Sequence, residues 1–314
     1  ALSLRISSKT DITQYGAVSG YDASEPIRAM AATGVIKIPL GRFLYDNVAI
    51  PSNIKVIGEK MPVINSDLTA LEDGSIIQGT ITFTGKNVHL EGFGVDLGSA
   101  TVAASGDGIK CTAPLNTGEH LHIENLIALG KSPSDAFHSL LFESYKKVTG
   151  GNITGVNNWF SCVIKCEDVN LTSIYGRNSE KQGLYIKSDD NFGRSRYINI
   201  SQVNIDGGGT TGNGVQIQSA GDQVDKVNLG QVFIRGCDNP IKLDVNGTNG
   251  VGINEVNLGQ CTMIGSSGRG LYVEAAAGFI YTLKWDSLTM IDVEGTAIDT
   301  YGTINHIQAS KTFI

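Results

Sequence analysis

Asp244, Glu274 and Asp299 each close a short stretch with apolar residues at alternate positions: PIKLD (240–244), GLYVE (270–274) and GTAID (295–299). Laid side by side as neighbouring strands, about 4.8 Å apart, their carboxyl groups form a ladder. Direct neighbours are then about 5 Å apart and the outer two about 10 Å. Carboxylates so close cannot all ionise freely. At least one pKa rises, leaving a protonated acid beside an ionised base at neutral pH. Such a pair can cleave a glycosidic bond: the short separation suits retention of configuration, and the long one lies near the upper edge of the range for inversion. Outward side chains are also polar for solvation alone, so the ladder has a second reading as plain surface.

Flanking positions supply what a sugar needs. Aligned on their third strands, the repeats present two outward rows. One reads Lys110, Leu141, Val163, Tyr185, Gln216, Lys242, Tyr272 and Ala297; the other reads Thr112, Glu143, Lys165, Lys187, Gln218, Asp244, Glu274 and Asp299. Tyr185 and Tyr272 can stack on sugar faces, as can Trp159 from the loop GVNNWFS (155–161). Lys165 and Lys187 can hold an acidic sugar, and Arg194 adds a further cation. The stretch RNSEKQGLYIKSDDNFGRSRY (177–197) mixes Glu180, Asp189, Asp190, Arg194 and Arg196, which suits a uronate lyase, a calcium site or a salt-bridged loop. Asp135, His138 and Glu143 form a third grouping, in which His138 is either a general base or a structural residue.

These residues need a scaffold that repeats. VNLTSIYG (169–176), INISQVNIDG (198–207), VNLGQVFIRG (227–236) and VNLGQCTMIG (256–265) share one pattern. Its anchors are Ile54, Val88, Leu121, Val148, Val169, Ile198, Val227, Val256, Leu283 and Ile304, with a mean spacing of about 28 residues, the period of a solenoid or propeller. Apolar residues at anchor, +2, +5 and +7 read as two short strands joined by a bend. A third strand follows, usually opened by glycine, as in GLYI (183–186) and GVQI (214–217). Three short strands per turn describe a parallel β-helix of roughly ten coils. Asn170, Asn199, Asn228 and Asn257 recur just after the anchor and form a structural amide ladder. Trp285 falls inward. Residues 1–50 read as a cap, with SEPIRAMAA (24–32) a short helix N-capped by Ser24, and residues 51–314 as the β-helix.

Composition agrees. Gly at 39 and Pro at 7 in 314 residues, with 7% aromatic side chains, suit many tight turns around small and branched residues. The net charge of −7 provides no basic stripe for nucleic acid, and no stretch is long and apolar enough for membrane insertion. The five cysteines, an odd number without CxxC spacing, read as buried thiols. ALSLRISSKT reads as a processed start without a signal peptide's apolar core. At the other end, SKTFI offers no recognisable cap, so either a truncated chain or a further domain or trimer contact covering the end is expected. No motif calls for a metal or other cofactor.

The segment 11–59 resembles the N-terminal signature of the pectate-lyase-like superfamily as found in bacteriophage tailspikes. Tyr15-Gly16-Ala17, Asp22, Ile38-Pro39, Gly41, Phe43, Ser52-Asn53 and Ile57-Gly58 occupy the signature's places in order. The resemblance implies an all-β, right-handed, single-stranded parallel β-helix with an N-terminal capping helix. It also implies a homotrimer in the virion tail that binds and cleaves a bacterial surface polysaccharide. It transfers no catalytic residue, because the chain has Asp189-Asp190 but lacks the GHG and RIK motifs of polygalacturonases and the DPHE of mannuronan epimerases. Three functions follow: glycoside hydrolysis by the carboxylate ladder, a lyase using Lys187, Tyr185 or Arg194 as base, and a non-catalytic adhesin or fibre segment. Outward Phe233, Ile127 and Leu141 are expected to be buried between subunits.

Overall fold

A computed structural model describes residues 11–45, 49–98, 107–114, 117–132, 138–189, 195–208, 212–246 and 251–314. Side chains two apart on a strand share one side of the pleat, and here one side is aliphatic in each repeat. In the strand Tyr197–Asp206, Ile198, Ile200, Val203 and Ile205 are buried, while Asn199, Ser201 and Gln202 face solvent. The two consecutive exposed residues mark the bend between two faces of the coil. Strand Asn213–Ala220 supplies the third face and turns Val215 and Ile217 inward.

Coils stack in parallel register. Ile198 lies opposite Val227, which lies opposite Val256. The chain is a right-handed parallel β-helix, one long parallel sheet wound around an aliphatic core. The anchors hold their column from Ile54 to Leu283. The last coil departs from the expected phase: Leu283 faces Ile307, and Ile304 faces Ile280. Residues 276–278 have no counterpart on the following strand, so counting by period places the final anchor early.

The α-helix Ser24–Ala31 lays Ile27 and Met30 over the end of the core, in one cluster with Ile36 and Ile38. Its cap differs from the expectation. Ser24 is the first helical residue and Ala23 the N-cap, without a side-chain cap bond; Asp22, just before it, accepts from the Ser24 amide at 2.8 Å and hydroxyl at 2.5 Å. Those bonds hold the Asp22 carboxyl below the usual carboxylate range. Strands Val35–Ile38 and Gly41–Leu44 already pair with Ile54–Gly58 and Ser75–Gln78.

The asparagine ladder is in register from Asn170 through Asn257, and the Asn228 amide donates to Asn199 Oδ1 at 2.6 Å. Trp285 is buried and donates its indole N–H to Thr312 Oγ1. All five cysteines are buried and free.

Ile127 and Leu141 point outward as expected, yet both are buried within this one chain. The excursion carrying the antiparallel strands Val63–Ile64 and Leu71–Glu72 folds over the outer face. There Leu71 packs with Ile76, Ile127, Leu129 and Val156, flanked by Met61, Ile64 and Leu68. These residues therefore say nothing of a subunit contact; of the three, only Phe233 is exposed.

Candidate functional site

Third strands present their outward rows on one face, and the pairing fixes which side chains meet. Tyr185, Gln216, Lys242 and Tyr272 follow one another in the first row, and Lys187, Gln218, Asp244 and Glu274 in the second. The three-carboxylate ladder stops there. Asp299 lies opposite Tyr272, and Tyr301 takes the place opposite Glu274. Aligning this coil on Thr296 opposite Leu271 sets it two residues off: a Cβ on Gly295 would meet the Gly268 carbonyl oxygen at 2.2 Å, so Gly295 stacks on Gly268 and not on Gly270. A shift of two residues keeps Asp299 outward but moves it to the neighbouring row.

Asp244 and Glu274 remain adjacent in very different surroundings. Asp244 is 3% exposed although it points out of the barrel, so its outward neighbours cover it. Its Oδ2 accepts from the Gln216 and Gln218 amides at 3.1 and 3.0 Å, and its buried Oδ1 has no hydrogen-bond partner among the described residues. Burial, reinforced by the neighbouring Glu274 charge, raises the Asp244 pKa above the usual carboxylate value despite Lys242. The side chain of Glu274 is one-third exposed, accepts from Lys242 at 2.8 Å and from the Tyr272 hydroxyl, and is held below its usual value chiefly by the Lys242 bond. The Lys242 ammonium also lies 3.6 Å from Asp244. Burial opposes its charge, but the Glu274 hydrogen bond and the two carboxylates carry its pKa above the ordinary lysine value.

Asp299 binds the Arg269 guanidinium at 2.5 Å, and that guanidinium lies 4.1 Å from the centre of the Tyr272 ring. Arg269 escaped the sequence reading because it belongs to a third outward row, three residues before the first. Its members include His138, Phe160, Gln182, Asn213 and Asn239. The constant three-residue offset from Tyr185, Gln216 and Lys242 is the signal that would have found it.

The third row carries rings. His138 stacks on Phe160 at 4.9 Å and Phe160 on Tyr185 at 5.7 Å, with Trp159 edge-on to Phe160 at 6.4 Å. Lys181 sits over the Trp159 ring. His138 bonds Asp107 at 2.6 Å; burial pushes the Asp107 carboxyl up, but the bond and charge of His138 outweigh it and hold it below its usual value. The Tyr185 hydroxyl donates to Gln218, and burial raises its pKa, as do Asp244 and Asp189.

The predicted lysines are engaged. Lys165 binds Glu143 at 2.7 Å and Lys187 binds Asp189 at 2.9 Å. Arg196 pairs with Glu167 at 3.2 Å, away from the groove rows. Arg194, Asp190 and Asp135 lie outside the described residues.

No family model matches the sequence, and no curated protein does. Among solved structures, the chain is similar to tailspike protein 2 of the Escherichia coli O157:H7 bacteriophage CAB120. The TM-score is 0.53 at 12% identity, over 88% of this chain and 38% of the tailspike. The chain thus spans well under half of that protein, and the likeness is one of fold. The catalytic unit of the GH87 α-1,3-glucanase from Streptomyces thermodiastaticus strain HF3-3 aligns with a TM-score of 0.44 at 15% identity, over 98% of this chain and 70% of that one. The A-module of the Azotobacter vinelandii mannuronan C-5 epimerase AlgE6 aligns at 0.40 and 13%, over 98% and 99%.

Proposed function

We propose that the protein is a tailspike-like depolymerase that binds a bacterial surface polysaccharide along the outward groove and cleaves it by glycoside hydrolysis. The observation that carries this reading is the adjacency of Asp244 and Glu274 on neighbouring strands, with one carboxyl buried and the other exposed and cation-bound. Neighbouring strands lie about 4.8 Å apart, closer to the ~5–5.5 Å separation of retaining glycosidases than to the inverting range.

In the reaction, Asp244 is the general acid, because burial favours its protonated form. Glu274, ionised beside Lys242, attacks the anomeric carbon. A sugar that displaces the Lys242 ammonium meets both groups at once. Asp244 gives its proton to the glycosidic oxygen as that bond breaks, then takes one from the water that releases the sugar from Glu274. Asp299 is a positioning residue: it holds Arg269 against Tyr272, the ring placed to receive a sugar face. The tailspike likeness supports a place in a phage tail, and the homotrimer rests on the resemblance of segment 11–59 to tailspike sequences.

Reducing ends released from a bacterial surface polysaccharide test the activity. Asp244→Asn and Glu274→Gln should each lower it about 10²–10⁴-fold. Full activity in the double variant removes the assignment. An unsaturated, ultraviolet-absorbing product decides for a lyase, and binding without change in polymer size decides for an adhesin.

A further inference from the structure

The cations of the two outward rows are matched within the chain, whereas Lys181 is held over the Trp159 ring. Among the described residues of the two outward rows, each cation already has a carboxylate: Lys110 has Asp107 at 3.7 Å, Lys165 has Glu143, Lys187 has Asp189 and Lys242 has Glu274. In the third row, Arg269 has Asp299. Two of these pairs are poorly placed to open. The Lys165 and Glu143 side chains are 13% and 5% exposed, and Asp189 is 7% exposed beneath Lys187. Drawing either lysine to a sugar carboxylate would take the counter-charge from a mostly buried acid, which is unfavourable. A uronate would also enter beside the ionised Glu274, whose like charge opposes it.

Neutral donors and acceptors run between these pairs. Gln182 and Asn213 both donate to Gln216 Oε1, at 2.7 and 2.8 Å, and Asn239 donates to Asn213 at 3.1 Å. Amides can both donate to and accept from a sugar hydroxyl. Beside them, the rings of His138, Phe160 and Tyr185 stack on one another along three successive strands and present an apolar ridge of ring edges.

We infer that the ligand of this groove is a neutral polysaccharide, recognised through its hydroxyl groups and the apolar faces of its rings and not through carboxylates. The inference rests on the groove being the glycan site and is independent of whether the bound chain is cut.

The test is binding of the full chain to immobilised polysaccharides: neutral ones (dextran, pullulan, mannan and neutral bacterial O-polysaccharides) and acidic ones (alginate, polygalacturonate, hyaluronan and polysialic acid). Binding should be confined to neutral members and change by no more than about twofold between low and high salt, since no screened charge pair joins protein to ligand. Phe160→Ala, checked for an unchanged melting temperature, should weaken it about tenfold. Binding confined to acidic members, a steep loss with salt, or binding to no glycan overturns the inference. A neutral glycan bound but uncut overturns hydrolysis alone. An acidic glycan cut to reducing ends overturns neutral selectivity alone.

Discussion

Asp244 and Glu274 face each other across adjacent strands, and one ammonium, that of Lys242, reaches both. Their protonation preferences run in opposite directions, so this pair should set the pH dependence of the proposed hydrolysis. That reaction needs Glu274 ionised and Asp244 protonated. Glu274 is lowered, so the acid limb of kcat/KM should lie below the ordinary glutamate range. Asp244 is raised, so the alkaline limb should lie above the ordinary aspartate range. Initial rates across pH measure both, and a profile that is flat above pH about 4 counts against Asp244 as the acid.

Asp244→Asn should stabilise the protein while removing activity. A carboxyl whose folded pKa exceeds its unfolded value supports the fold in its protonated form. That support is complete below the unfolded pKa and is lost as pH rises through the folded one. Asparagine cannot ionise and keeps an acceptor for Gln216 and Gln218. The variant should gain about 1 kcal/mol at neutral pH and less at pH about 3, read by urea denaturation. A loss of stability at neutral pH contradicts the buried-acid description.

Gly150→Ala should destabilise strongly. Gly150 has φ +124°, and a Cβ there would meet the Ile123 carbonyl oxygen of the preceding coil at 1.7 Å. The strand must shift or its pairing must open, costing more than about 1 kcal/mol. Thermal unfolding of the variant against wild type measures it.

Asn228→Ala should cost about 0.5–1.5 kcal/mol, although the residue lies on the surface, because it removes the 2.6 Å amide bond to Asn199. The double variant with Asn199→Ala should cost less than the sum of the two singles. Strict additivity would mean that the amides act independently.

The stacking was legible where the sequence is periodic. From Ile54 to Leu283 the apolar spacing alone sets the register, because a one-residue slip would turn the aliphatic side outward. A two-residue slip carries no such penalty, and that is how Asp299 came to be placed one row away from its position. The outward residues Asp244 and Glu274 could be read from alternation, but the burial of Asp244 could not, since local sequence does not show what rises beside an outward side chain. Arg269 was hidden for a related reason: its contact with Tyr272 depends on the reach of a side chain and not on strand parity. The covering of Ile127 by residues from 61 to 71 was invisible because it joins positions distant in the chain.

The five thiols lie one after another along the stack, at Cys111, Cys162, Cys166, Cys237 and Cys261, each shielded from solvent. Burial raises their pKa values, to about 12 at Cys166, Cys237 and Cys261, so in the closed protein they do not react with alkylating reagents near neutral pH. Each can be labelled only when its own coil opens, and a linear stack opens by neighbours. The order of labelling in mild denaturant, resolved by mass spectrometry, is therefore a built-in clock that reports from which end the coil unzips.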